Sequence, residues 1–137
     1  MKKQKLAETT KDPNVLDELS RDENCDVRWC VAKNRNTNPE TLDTLSQDKN
    51  FYVRQGVALN PNTKPETLDV LSRDEHYYVR YRVALNPNTN PEILDVLSRD
   101  EYAYVRRGVA ENPNCSERAY KYIMGLELIE SLSEVST

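Results

Sequence analysis

Residues 65–90, PETLDVLSRDEHYYVRYRVALNPNTN, run straight into residues 91–116, PEILDVLSRDEYAYVRRGVAENPNCS. How closely the second copies the first decides the fold. Pro13, Pro39, Pro65 and Pro91 stand 26 apart, and the text around them moves in step. Leu16, Leu42, Leu68 and Leu94 recur, as do Leu19, Leu45, Leu71 and Leu97. Val-Arg returns at 27–28, 53–54, 79–80 and 105–106, and Val-Ala four residues later each time. A fixed period of this size means units that cannot bury an apolar side alone and must stack.

Within a unit the pattern predicts two short helices. The first opens at Thr37–Glu40, Thr63–Glu66 and Thr89–Glu92, where a hydroxyl precedes Glu by three residues as in a capping box; either the threonine or the residue after it can be the cap, and Lys64 favours Thr63 in its unit. Proline suits the first helical turn because its missing N–H has no partner there anyway. Asp12 serves as the cap before Pro13. Leu-x-x-Leu then gives one apolar edge. The second helix buries Val79 and Val83 or their equivalents and stops at Asn86, since Pro87 disfavours helical geometry before it. Arg35 replaces that proline in the first unit, so a looser end is expected there. Helices of two to three turns also leave room for 3₁₀ geometry.

Composition alone would suggest disorder, with 31% charged residues, 37% apolar ones and a formal net charge of −4. Only the regular placement of the apolar residues argues otherwise. No apolar run reaches membrane-spanning length, so no membrane partner is expected. The start MKKQKLAETT is basic without an apolar core, which implies a cytoplasmic protein. Three cysteines without C-x-x-C spacing argue against a disulfide framework.

The pattern over residues 12 to 116 resembles the leucine-rich repeat variant family and is similar to the HEAT repeats, in which Asp and Val-Arg stand at the same separation. The resemblance implies an all-α, right-handed α-solenoid whose units join an α-helix to a short α or 3₁₀ helix. On this reading residues 1–11 form an N-terminal cap. Repeats follow at about 12–37, 38–63, 64–89 and 90–115, and residues 117–137 supply C-terminal capping helices. The founding family member carries an N-terminal cysteine cluster for an iron–sulfur centre; no cysteine precedes Cys25 here, so no cofactor is expected. Beyond the repeats Gly125 interrupts, and Leu128, Ile129, Leu132 and Val135 line one side of a last helix. Closing the stack is its expected role, with dimerisation the lesser alternative.

Asp22, Asp48, Asp74 and Asp100 precede Arg28, Arg54, Arg80 and Arg106 by six residues. Groups identical in every unit predict a structural ladder of forked bonds rather than one catalytic site. Asp17, Asp43, Asp69 and Asp95 are candidates to join it, and the asparagines of N-P-N-T should satisfy local backbone groups.

Function is expected where units differ at equivalent positions. If the valines face inward, Asp26, Trp29, Cys30 and Lys33 share a face. So do Tyr52, Gln55, Gly56 and Leu59; Tyr78, Tyr81, Arg82 and Leu85; and Tyr104, Arg107, Gly108 and Glu111. Phe51, Tyr77 and Tyr102 lie beside them, and the glycines should leave hollows. The resembling families line their inner curve with the second helices. Trp29, Tyr52, Gln55, Tyr78, Tyr81, Arg82, Tyr104 and Arg107 are therefore the candidate contacts of a non-enzymatic scaffold for a protein or peptide. Arg82 and Arg107 favour a partner bearing carboxylates.

Nucleic-acid binding is the alternative, since HEAT-like DNA glycosylases line a concave face with basic and aromatic residues. The acidic balance weighs against it. Enzymatic or metal chemistry finds little support: the one histidine, His76, has no catalytic neighbours, and Cys25 and Cys30 do not match zinc spacing.

Overall fold

The structure, a computed structural model, describes residues 2–135 and is all-helical over them. Residues 1, 136 and 137 of the two capping segments, and the side chain of Val135, lie outside the described residues. A lead helix α1 (Lys2–Thr9) is followed by four helix pairs and a final helix. The first helices are α2 (Pro13–Leu19), α4 (Pro39–Leu45), α6 (Pro65–Leu71) and α8 (Pro91–Leu97). The second helices are α3 (Cys25–Lys33), α5 (Phe51–Leu59), α7 (Tyr77–Leu85) and α9 (Ala103–Glu111), and α10 (Glu117–Val135) ends the chain. Both members of every pair are α-helical.

Pairs stack through their second helices. α1, α3, α5, α7 and α9 pack side by side, whereas each first helix rests mainly on neighbouring second helices. The seam is apolar: Leu16, Leu42, Leu68 and Leu94 are fully buried, as are Val31, Val53, Val57, Val79, Val83, Val105 and Val109. Each such leucine stabilises the array by about 1.5–3 kcal/mol through burial alone. The next leucines, Leu45, Leu71 and Leu97, are almost as enclosed.

Buried polar groups tie neighbours together along the same seam. Asn60 Nδ2 donates to the carbonyls of Ala32 and Asn34, at 2.7 and 2.8 Å. Asn86 and Asn112 repeat those bonds one pair further on. The exposed Asn62, Asn88 and Asn114 also reach carbonyls of Arg35, Pro61 and Pro87. These asparagines were expected to serve local backbone; the Oδ1 atoms of Asn60, Asn86 and Asn112 do, accepting from the N–H two residues on, but the amides cross to the preceding pair. α1 fits the same scheme, since Asn34 Nδ2 donates to Ala7 and Thr10 as if α1 were the second helix of an earlier pair.

One open point closes and two local expectations change. Asn38, Lys64 and Asn90, rather than the threonines before them, hold the N-cap positions of the first helices, and of the three Asn90 makes a side-chain cap bond, accepting from the Ile93 N–H. Thr37, Thr63 and Thr89 are buried and donate to the carbonyls of Val31, Val57 and Val83, closing the previous helix instead. The α3 end is no looser than the others: Asn34 caps it with an N–H bond to Val31, as Asn60 does for Val57. α3 ends at Lys33, the position equivalent to the ends of the other second helices, although Arg35 stands in place of the proline. Finally, α10 runs unbroken through Gly125. Its first half buries Ala119 and Ile123, while Leu128, Ile129 and Leu132 are about 60% exposed or more, so that edge does not close the stack.

Candidate functional site

Aspartate and arginine bond across every junction between pairs. Arg28 Nε donates to Asp48 Oδ2, Arg54 Nε to Asp74 Oδ2 and Arg80 Nε to Asp100 Oδ2, each at 2.7 Å. The other arm of each fork donates to the carbonyl of the same pair's aspartate: Asp22, Asp48 and Asp74. Both ends of the chain supply a substitute. Lys3 meets Asp22 at 3.0 Å, and Glu130 of α10 meets Arg106 at 3.2 Å. These bonds hold Arg28 and Arg80 more firmly protonated than usual, through Asp48 and Asp100 respectively. The carboxyl of Asp22 is held below its ordinary value by the Asn24 backbone N–H first, then by Lys3. Asp17 and Asp43 stand apart from this ladder and accept from Thr41 and Thr67 instead. Asp69 pairs with Arg73, and Asp95 accepts from Ser116.

The variable stripe divides into packed and open positions. Tyr52 and Tyr104 project outward, 56% and 64% exposed. Gln55 is buried and accepts from the Trp29 indole N–H at 3.4 Å. Lys33 Nζ lies 3.4 Å from the centre of the Trp29 ring. Gly56 and Gly108 do not leave hollows. A Cβ on Gly56 would lie 2.9 Å from Ala32 Cβ and 3.4 Å from the Trp29 ring. One on Gly108 would meet Ala84 Cβ at 3.1 Å and the Tyr81 ring at 3.2 Å. The missing side chain is thus the seat of the previous helix's aromatic ring. Trp29 and Tyr81 are half-buried for this reason.

Arginines on the stripe differ in their partners. Arg107 Nε donates to Glu127 Oε1 of α10 at 3.0 Å, so its charge is already met. Arg82 sits half-buried, its guanidinium carbon 5.5 Å from the Tyr78 ring centre and 5.7 Å from that of Tyr81. Its Nε is buried without a hydrogen-bond partner, and no carboxylate among the described residues pairs with it. The two rings supply cation–π attraction but accept no strong hydrogen bond.

Beside the stripe, the rings that open the second helices stack across junctions. Phe51 lies on His76 at 3.9 Å and 7°, and Tyr77 on Tyr102 at 4.7 Å and 19°. His76 also caps α7, its Nδ1 accepting the Tyr78 N–H at 3.1 Å, so the ring proton in this arrangement is on Nε2. The histidine thus caps a helix, stacks on Phe51 and is half-buried.

Sequence reasoning missed three parts of this picture: the terminal substitutes Lys3 and Glu130, the seating of rings on glycines, and a recess of about 230 Å³ lined by Cys25, Asp26, Trp29, Asn50 and Tyr52. The last two were signalled by comparing equivalent positions along the repeat. Cys25, Cys30 and Cys115 are free thiols, and burial raises the pKa of Cys30 and Cys115. Among the described residues no group of three or more His, Cys, Asp or Glu gathers as a metal would need, and no helix is long and apolar enough to cross a membrane. No protein-family model matches the chain, and no curated protein and no solved structure matches it significantly.

Proposed function

We propose that the chain is a non-enzymatic cytoplasmic scaffold that holds an extended, carboxylate-bearing protein segment along the face of its second helices. The units belong on this reading to the leucine-rich repeat variant or HEAT type, coiled as a right-handed superhelix of 26-residue repeats. Side-by-side packing of the second helices, against first helices that rest mainly on them, supports an inner curve on the second-helix side. A groove of about 450 Å³ opening between α6 and α8 on the other side agrees with that bend.

The observation that carries the proposal is Arg82. A half-buried cation with a desolvated Nε and no acceptor is costly to keep unless something arrives to pair with it. A carboxylate from a bound segment would satisfy the fork with charge-assisted bonds. Tyr78 and Tyr81 flank the place where it would dock, and exposed Tyr52 and Tyr104 extend the surface to either side. Nucleic acid is the weaker reading, because the chain is acidic and Arg107 is engaged by Glu127.

A displayed library of random nine-residue peptides, selected on the full chain, tests this directly. Selected peptides should be enriched in Asp or Glu, and the enrichment should fall to background on Arg82→Gln while surviving Arg73→Gln on the opposite side. Failure to select peptides above an unrelated protein, or an acid preference indifferent to Arg82, overturns the proposal. A gel shift with single-stranded nucleic acid that weakens steeply with salt would replace it.

A further inference from the structure

The aromatic stack beside the stripe is incomplete at one junction. The second helices open with Cys25, Phe51, Tyr77 and Ala103, and their caps are Asn24, Asn50, His76 and Tyr102. Between α5 and α7, Phe51 meets His76; between α7 and α9, Tyr77 meets Tyr102. Between α3 and α5 the equivalent positions hold Cys25 and Asn50, neither of which is a ring. The stacked run ends at Phe51 and Tyr52, 4.2 Å apart, and the recess of about 230 Å³ opens there. Two of its lining residues, Cys25 and Asn50, stand where the other two junctions carry stacked rings, which leaves room there for a flat group.

Its lining restricts what can enter. Tyr52 and Trp29, the latter already carrying the Lys33 ammonium 3.4 Å from its ring centre, line it with aromatic atoms. Asp26, in the first turn of α3, brings an exposed carboxylate with no cation paired to it among the described residues. A phenyl ring would fill the flat space but cover Asp26 without giving it a partner, which burial penalises. An ammonium would meet Asp26 but leave the flat space unfilled. A guanidinium does both, since it is planar, stacks on aromatic faces and donates in a fork to a carboxylate. The positive helix ends nearby amount to about half a charge each and are closed by Asn24 and Asn50. Asp26 brings a full charge to the lining.

We infer that this recess takes an arginine side chain of the bound segment, which rests on the second-helix face being the docking face. Second helices packed at about 8–10 Å put the recess roughly 15 Å from Arg82. An extended chain rises about 3.3 Å per residue, so the arginine and the carboxylate that Arg82 takes stand about four or five residues apart.

The peptide selection separates this inference from the docking reading. On the native chain, arginine should be enriched about tenfold at four or five residues from the acid, a ratio suited to one charge-assisted contact. On an Asp26→Asn chain, shown folded by circular dichroism, the arginine preference should vanish while the acid preference stays. Trp29 is the only tryptophan, so its emission should change with a selected peptide and change less with the lysine or norleucine analogue. Lysine enriched equally with arginine, aromatic residues in its place, or an arginine preference indifferent to Asp26→Asn would each overturn the recess assignment. In those cases a persisting acid preference leaves the docking face standing; loss of both preferences on the native chain removes both.

Discussion

The α3–α5 and α5–α7 junctions share their ladder and differ on their stripe. Across both, an arginine of one second helix grips the aspartate of the next pair at 2.7 Å. On the stripe of the first junction, Trp29 lies over Gly56 and bonds Gln55, so ring, glycine and amide complete one another. At the second, Arg82 occupies the position equivalent to Gly56, and its Nε has no partner. The same site in the repeat is closed by packing in one place and left unsatisfied in the next. Repetition therefore fixes what the stack needs, and departures from it mark what the stack alone does not explain.

Equality of the ladder across the two junctions is the easiest part to break. Arg28→Met or Arg54→Met leaves Asp48 or Asp74 enclosed without its cation, so each should cost about 3 kcal/mol by urea denaturation. Arg106→Met should cost about 1 kcal/mol, because its partner Glu130 is 54% exposed and regains water. Unequal losses at Arg28 and Arg54 would mean that the junctions differ in more than the stripe.

The glycines sharpen the contrast with smaller effects. Gly56→Ala pushes a Cβ to 2.9 Å from Ala32 Cβ, which only a helix shift relieves, and should destabilise by about 1–2 kcal/mol. At Gly108 the contacts begin at 3.1 Å, so the gain in helix propensity of about 1 kcal/mol should roughly cancel the crowding. Gly125 meets nothing within 4 Å inside α10, and alanine there should stabilise by about 0.5–1 kcal/mol. Three thermal melts check the series, and a destabilising Gly125→Ala would show that α10 packs more closely than its open surroundings imply.

Much of the helical order was legible in the sequence because one reading was written four times. Proline at each first-helix start and valine at i, i+4 in each second helix leave little freedom. What the sequence did not disclose depended on distances between helices. A glycine beside a tryptophan 27 residues earlier reads equally as a hollow or a seat, and only the approach of α3 to α5 decides. Thr37, Thr63 and Thr89 look like caps because the local spacing suits one, yet their hydroxyls bond carbonyls six residues back. The Cys25 recess was visible as a column holding Cys, Phe, Tyr and Ala, but its meaning required the rings to be seen stacking on the next helix.

Arg82 gives a small stability effect and the most informative one. Methionine keeps the length and the apolar stem of arginine and can still lie against Tyr78 and Tyr81, while it removes the charge and the orphaned Nε. A residue that holds the stack together should destabilise it on replacement, as Arg54 does. A residue kept for a partner should leave stability unchanged or raise it, by up to about 1 kcal/mol, because an unsatisfied buried donor disappears. Urea denaturation of Arg82→Met beside Arg54→Met makes the distinction within one junction. A loss at Arg82 comparable to that at Arg54 would place both arginines in the structural ladder and leave the stripe without its strongest claim to a ligand.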